Sequence, residues 1–186
     1  VTNNGELIIG GQNYTTKKIA DPNSTIEGAK IKVIDDYKDL IMFHFDDQGV
    51  LKSQYGIRRD KMNKWSKASV TPQYVYMSND GHSLYWVYGE IQGMRHGFEL
   101  GGVFEVAGVG TMSKKKLLFY PSVSKINLAS GTLSDFVPLG ADSNGKQMYF
   151  TNPSFPQLLS PDGKHLTFIG EDKSGSNVWL ARMRFD

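Results

Sequence analysis

Apolar residues in this chain fall in short runs, rich in β-branched and aromatic side chains and bounded by Gly, Asp, Asn or Pro. That is the pattern of strands and tight turns, not of helices. Leu7 to Gly11 reads as a short buried strand. Asp39 to Phe45 alternates into Asp46-Asp47-Gln48-Gly49 and out through Val50 to Ile57, which predicts a hairpin. A second hairpin runs from Tyr74–Met77 through Asn79-Asp80-Gly81 into Leu84–Ile91, and a third from Leu117–Leu128 through Ala129-Ser130-Gly131 into Leu133–Leu139. Met148–Thr151, Leu158-Leu159, Leu166–Gly170 and Asn177–Phe185 are further strands. Three stretches lack a period: Gln12 to Lys38, with an edge strand at Ile31–Ile34 and a helical turn at Thr25–Ile31, then Arg58 to Val70, and Gln92 to Lys116, with an added strand at Val103–Val109.

Two stretches repeat. Ser160-Pro161-Asp162-Gly163-Lys164-His165-Leu166 is echoed by Ser78-Asn79-Asp80-Gly81-His82-Ser83-Leu84, and the two glycines lie 82 positions apart (163 less 81). The hairpin glycines Gly49 and Gly131 are also 82 apart (131 less 49), so two kinds of turn share one period. With strands A to D per unit, the first unit shows B, C and D over residues 1–57, the second is complete over 72–139, and the third shows A, B and C over 156–186. Four-stranded antiparallel units in series are blades of a β-propeller. The fold class expected is therefore all-β, with blades of β-propeller type in a single domain of about two and a half blades; a β-sandwich or barrel is the alternative. Ordinary blades repeat every ~40–50 residues. The longer period here is assigned to insertions between strands B and C, in preference to dividing each period into two blades. The open edges at Leu7 and Asn177 are expected to find partners, either missing blades of the same full-length protein or a second chain.

Ser160-Pro161-Asp162-Gly163-Lys164 with Leu166-Thr167-Phe168 resembles the Ser-Pro-Asp-Gly repeat of TolB-like propellers, a WD40-like motif also found in the propellers of oligopeptidases. Ser78-Asn79-Asp80-Gly81 departs from it in having Asn for Pro. The resemblance implies blade-like strands and a role as binding platform, gate or scaffold. In the motif Pro fixes φ, Asp accepts backbone amides and Gly takes the positive φ, so Asp80 and Asp162 are read as turn-making residues.

Composition narrows the function classes. The 186 residues carry 21 Lys+Arg against 19 Asp+Glu, a net charge of +2 that gives no reason to expect nucleic acid or an anionic membrane as partner. Lys114-Lys115-Lys116 reads as a solvated loop end. The absence of cysteine removes disulfides, thiolate metal sites and cysteine nucleophiles. It does not separate compartments, since periplasmic and surface proteins also lack cysteine and a reducing cytosol is equally compatible; a periplasmic or extracellular setting is favoured here over a cytoplasmic one. No apolar run approaches the roughly 20 residues of a membrane span. The chain opens on Val1, so the want of a leader carries no weight.

In a propeller the B–C and D–A connections share the face where ligands bind, and long loops are more often functional than not. The residues singled out there for ligand binding are Tyr14, Arg58, Lys61, Trp65, Arg95, His96 and Glu99, with Lys17 and Arg59 beside them. Arg95-His96 with Glu99 could make a base and its orienting carboxylate, but no nucleophile motif accompanies them, and no catalytic residue is assigned. His44, His82, His96 and His165 lack metal-ligand spacing, Asp46-Asp47-Gln48-Gly49 lacks the acidic residue that completes a calcium loop, and no phosphate loop is present, so neither metal nor cofactor is expected. Trp86 and Trp179 sit in apolar strands and read as core; Trp65, in a polar loop, reads as a contact residue. The leading expectation is a non-catalytic binding or scaffold module for a protein or glycan. The competing one is the accessory propeller of a larger hydrolase or peptidase, and a self-contained enzyme using Arg95, His96 and Glu99 is a weaker third.

Overall fold

The structure, a computed structural model, describes residues 2, 4–20, 31–59, 73–97, 114–151 and 157–185. Every regular element among them is a β-strand and every pairing is antiparallel. β1 (Leu7–Ala20), β2 (Ile31–Phe45) and β3 (Leu51–Ile57) form one sheet in that order. The second sheet runs β10 (Leu158–Leu159), β11 (His165–Asp172), β9 (Tyr149–Thr151), β6 (Lys114–Asn127), β5 (Ser83–Gly97) and β4 (Gln73–Met77), with β12 (Val178–Arg184) on β11 and β7 (Thr132–Leu133) and β8 (Val137–Pro138) on β6. One of the antiparallel sheets is curled into a half-barrel. The chain is thus all-β and antiparallel, as its pattern predicts.

The repeated turns are equivalent atom for atom. In one, Ser78 Oγ donates to Asp80 Oδ1, which also accepts from His82 N, while Ser83 N donates to Ser78 Oγ. In the other, Ser160 Oγ donates to Asp162 Oδ1, which accepts from Lys164 N, and His165 N donates to Ser160 Oγ. Both aspartates are held ionised below the usual carboxylate range, first by the serine hydroxyl and then by the backbone amide. Both glycines have positive φ, +73° at Gly81 and +69° at Gly163, where a side chain would be strained. The strands that follow share their register as well: Met77 pairs with Leu84, and Leu159 with Leu166.

A third copy of this turn lies where the sequence shows none. Thr2 N donates to Glu6 O, Gly5 N to Thr2 O, and Glu6 N to Thr2 Oγ1, with Gly5 at φ +81°. The circuit is one residue shorter, and it makes Leu7, Leu84 and Leu166 equivalent. It also corrects the second spacing. Asp46 Oδ1 accepts Gln48 N and Val50 N, and Asn127 Oδ1 accepts Ala129 N and Ser130 N, so Asp46 and Asn127 are the matched residues. They lie 81 apart (127 less 46); the 82 between Gly49 and Gly131 reflects a loop longer by one.

The three units stack in series. Leu84, Trp86 and Tyr88 of β5, with Ile126, face Leu40, Met42 and Tyr55 of the first unit, all fully or nearly fully buried. Tyr85 and Val87, on the opposite face of β5 because strand side chains alternate, join Val123 against Leu166, Phe168 and Phe185 of the third unit. The middle unit is therefore buried on both faces. We call the two interfaces seam one and seam two. Trp86 is buried in seam one, 5.8 Å from Phe136, and is a core tryptophan; Trp179, expected to be core as well, is only partly buried, packing against the edge of seam two and stacking on Tyr149 at 5.9 Å and 8°.

Two of the three aperiodic stretches contain strand. Tyr14–Ala20 pairs with Ile31–Tyr37, and Gly93–Gly97 with Lys114–Leu118, so β1–β2 and β5–β6 are long hairpins whose distal halves pair only with each other among the described residues. The B–C insertions are thus extensions of the strands themselves, and Lys114-Lys115-Lys116 opens β6 instead of ending a loop. The helical turn expected at Thr25–Ile31 and the strand at Val103–Val109 fall outside the described residues, save for Ile31, which begins β2. Strand D of the second unit is broken into β7 and β8, and strand A of the third into β9 and β10 along one edge of β11.

Candidate functional site

Both ribbons leave their units at the end opposite the Asp-Gly turns. Leu40 pairs with Gln12 on one side and Ile57 on the other, so Arg58 and Arg59, which follow β3, stand where the first ribbon begins. In the second unit β4 pairs β5 as far as Gln73–Tyr88 among the described residues, and β5 goes on beyond that pair. Each ribbon starts at a register shift, between Gln12 and Tyr14 in β1 and between Ile91 and Gly93 in β5. A bulge of this kind bends the strand and raises its twist, which turns a ribbon away from its sheet.

The first ribbon carries an aromatic pair and a charge cluster at its base. Tyr14 is 60% exposed, and its ring lies 5.7 Å from that of Tyr37 at a tilt of 36°. Asp36 receives Lys17 Nζ at 2.6 Å and Lys38 Nζ at 2.8 Å. The Lys17 hydrogen bond, then that of Lys38, hold its carboxyl down to about 2, against the partial burial that would raise it. Gln12 Nε2 donates to the Lys38 carbonyl at 3.0 Å and Thr16 Oγ1 to Asp35 Oδ1 at 2.9 Å, tying the two strands across the bulge.

Beneath the ribbons lies a buried ion pair. Arg59 Nη2 is 2.7 Å from Glu90 Oε1 and Nε is 3.3 Å from Oε2, with both side chains almost wholly excluded from solvent. Glu90 Oε1 also accepts Ile91 N, and Arg59 N donates to Asp39 Oδ1. The pair joins the connection after unit one to strand B of unit two. Around it the Tyr120 phenol is pushed up to about 12, by burial first and by the Glu90 charge second, and Tyr88 is raised further for the same reasons. With its oxygens engaged by the guanidinium and by a backbone amide, the Glu90 carboxylate is fixed in place and the pair forms a rigid floor beneath the ribbons. The other polar cluster, His44 with Glu6 Oε2 at 3.0 Å and Lys52 Nζ at 2.5 Å from Oε1, is at the turn end, away from the ribbons. The Lys52 hydrogen bond is the main reason that the Glu6 carboxyl lies below its usual value. Among the described residues no group of three or more His, Asp or Glu side chains is placed to hold a metal ion, and no helix is long and apolar enough to cross a membrane.

Of the residues singled out from sequence, Tyr14 and Arg58 are exposed and stand at the base of the first ribbon. Arg95 and His96 are on β5 in the second ribbon, their Cα partners being Lys116 and Lys115. These four therefore belong to one end of the stack. Lys61, Trp65 and Glu99 lie outside the described residues. Arg59 is buried and bonded, a part of the floor. Sequence reading missed Asp36, Tyr37 and Lys38, and missed Glu90 as the partner of Arg59. A lone acid at the end of the apolar run Leu84–Ile91 is itself a signal, because a charge in a buried strand requires a buried partner.

No protein-family model matches the chain, and no curated protein or solved structure matches it either.

Proposed function

We propose that the chain is a run of β-propeller blades of the TolB-like kind acting as a non-catalytic binding or scaffold module, which takes a protein or glycan ligand at its ribbon end. The observation that carries this reading is the bulged ribbon base, where the exposed Tyr14 ring lies against the half-buried Tyr37, the Lys17–Asp36–Lys38 cluster occupies the ribbon's other face, and the exposed Arg58 stands where the ribbon begins. An exposed tyrosine backed by a second ring offers a flat apolar face and a hydrogen-bonding tip, the chemistry that stacks on sugar rings and peptide groups. The buried Arg59–Glu90 pair supports binding at this end, since it fixes the floor on which the ribbons stand. Units that stack in series, each opened by the same Ser/Thr-x-Asx-Gly turn, support the blade assignment and its resemblance to the Ser-Pro-Asp-Gly repeat. A periplasmic or extracellular setting accords with the same reading, as does a role as the accessory propeller of a larger hydrolase.

The test is a screen of the chain against arrays of glycans and of peptides, followed by titration of the best hit with Tyr14→Ala and Arg58→Ala. Removing one stacking aromatic is expected to weaken binding about tenfold, a loss of ~1.4 kcal/mol. Equal affinity in both variants overturns the assignment of the site.

A further inference from the structure

The two outer faces of the stack differ in kind, and their difference matches the seams inside. Leu7 and Ile9 of unit one occupy the positions of Leu84 and Trp86 in unit two and of Leu166 and Phe168 in unit three. The latter four are 2% exposed or less, each covered by the preceding unit, whereas Leu7 and Ile9 are 39% and 47% exposed. At the other end of the stack, Ile169 pairs with Leu180 as Val87 pairs with Val123. Val123 is 7% exposed beneath unit three, while Leu180 is 66% exposed. Val178 and Leu158, paired with Glu171 and Thr167, extend the same apolar face. Unit one thus presents the face that elsewhere receives a preceding unit, and unit three presents the face that elsewhere receives a following one.

From this we infer that a second copy of the chain docks head to tail on the first, its Leu7–Ile9 face covering Ile169 and Leu180 and so repeating the packing of seams one and two. A contact between unlike faces leaves one of each free, and a two-fold axis pairs those as well. Two copies then close a ring of six units, within the range of about four to eight found in closed stacks of this kind. The inference rests on the repeat reading of the units but not on the ligand, which either assembly state could bind.

Light scattering after size-exclusion chromatography is the direct test. The wild-type chain is expected to run as two copies of the 20.8 kDa protein. Ile9→Glu and Leu180→Glu change exposed positions, so the fold should survive, which far-UV circular dichroism checks, and each alone is expected to give a monomer. Mixing the two variants restores one seam with both faces intact and is expected to bring the dimer back. A monomeric wild type, a dimer that persists in either variant, or a loss that mixing does not repair would each overturn the proposal. Ligand titration on the monomeric variants keeps the two ideas separate: binding kept with assembly absent sinks only this one, and assembly kept with binding absent sinks only the ribbon site.

Discussion

Seam one and seam two bury similar apolar strands, yet they fix their alignment by different means. Seam one has the Arg59–Glu90 pair at its ribbon end, and so takes two charges out of water. Seam two is built from Leu166, Phe168 and the rings of Tyr76, Tyr85 and Phe185, with Phe185 lying 5.0 Å from Tyr85 and 5.2 Å from Tyr76. There the alignment comes from the main chain: Asn79 Nδ2 donates to Phe185 O and Phe185 N donates to Lys164 O. The difference shows two ways of stopping sheet faces from sliding. An apolar surface accepts several offsets at similar energy, whereas a buried ion pair tolerates only the offset that makes it. A tethered aromatic reaches the same end without the desolvation of charge.

The sharpest break of that comparison is Phe185→Ala, which should remove the ring that closes seam two at about 3–5 kcal/mol, read from urea unfolding. Arg59→Met alone leaves Glu90 buried without its cation and is expected to destabilise by about 3 kcal/mol. The double variant Arg59→Met/Glu90→Leu should recover to within about 1 kcal/mol of wild type. A double variant no better than the single would show that the pair contributes energy and not only alignment. Gly170→Ala tests packing outside both charges: a Cβ there would lie 2.6 Å from the Phe150 carbonyl and 2.9 Å from Trp179, so a loss of about 1–3 kcal/mol is expected in thermal unfolding. Gly163→Ala, in the turn at φ +69°, should cost about 1 kcal/mol and leave both seams as they are.

The smallest effect is expected from Asp36, which lies in the ribbon and touches neither seam. Its folded carboxyl titrates at about 2, below the ordinary value, because Lys17 and Lys38 favour the charged form. Stability from this site is therefore fully present above the unfolded carboxylate pKa and is lost as pH falls toward about 2. The gap in melting temperature between wild type and Asp36→Asn should be open at pH 6 and closed near pH 2. A gap that did not change with pH would mean that the lysines hold Asp36 by geometry alone.

How much of this was legible depended on whether a strand had a buried face. The β2–β3, β4–β5 and β11–β12 hairpins could be read because their apolar residues alternate and their turns carry Asp or Asn with Gly. The ribbons could not. From Asn13 onward β1 is exposed on both faces, so burial imposes no alternation for a reader to find. The first phasing turn escaped because it has Asn4 in place of Asp and is shorter by one residue, and the shared spacing of Gly49 and Gly131 concealed a loop difference of one. At the site, Tyr14 and Arg58 could be picked out as aromatic and basic residues in polar surroundings. Glu90 needed its partner to be found across a seam, a contact spanning 31 positions that no local pattern encodes.

Each Ser/Thr-x-Asx-Gly turn is closed on itself within six residues, the hydroxyl of its first residue accepting the backbone amide of its last and, in the two Asp copies, donating to the carboxylate. A circuit that completes itself does not sense how much chain separates it from the next one. Descent by duplication could therefore lengthen one copy and shorten another without resetting the phase of the strands. An engineer could likewise graft binding segments of arbitrary length onto the ribbons and keep the stack in register.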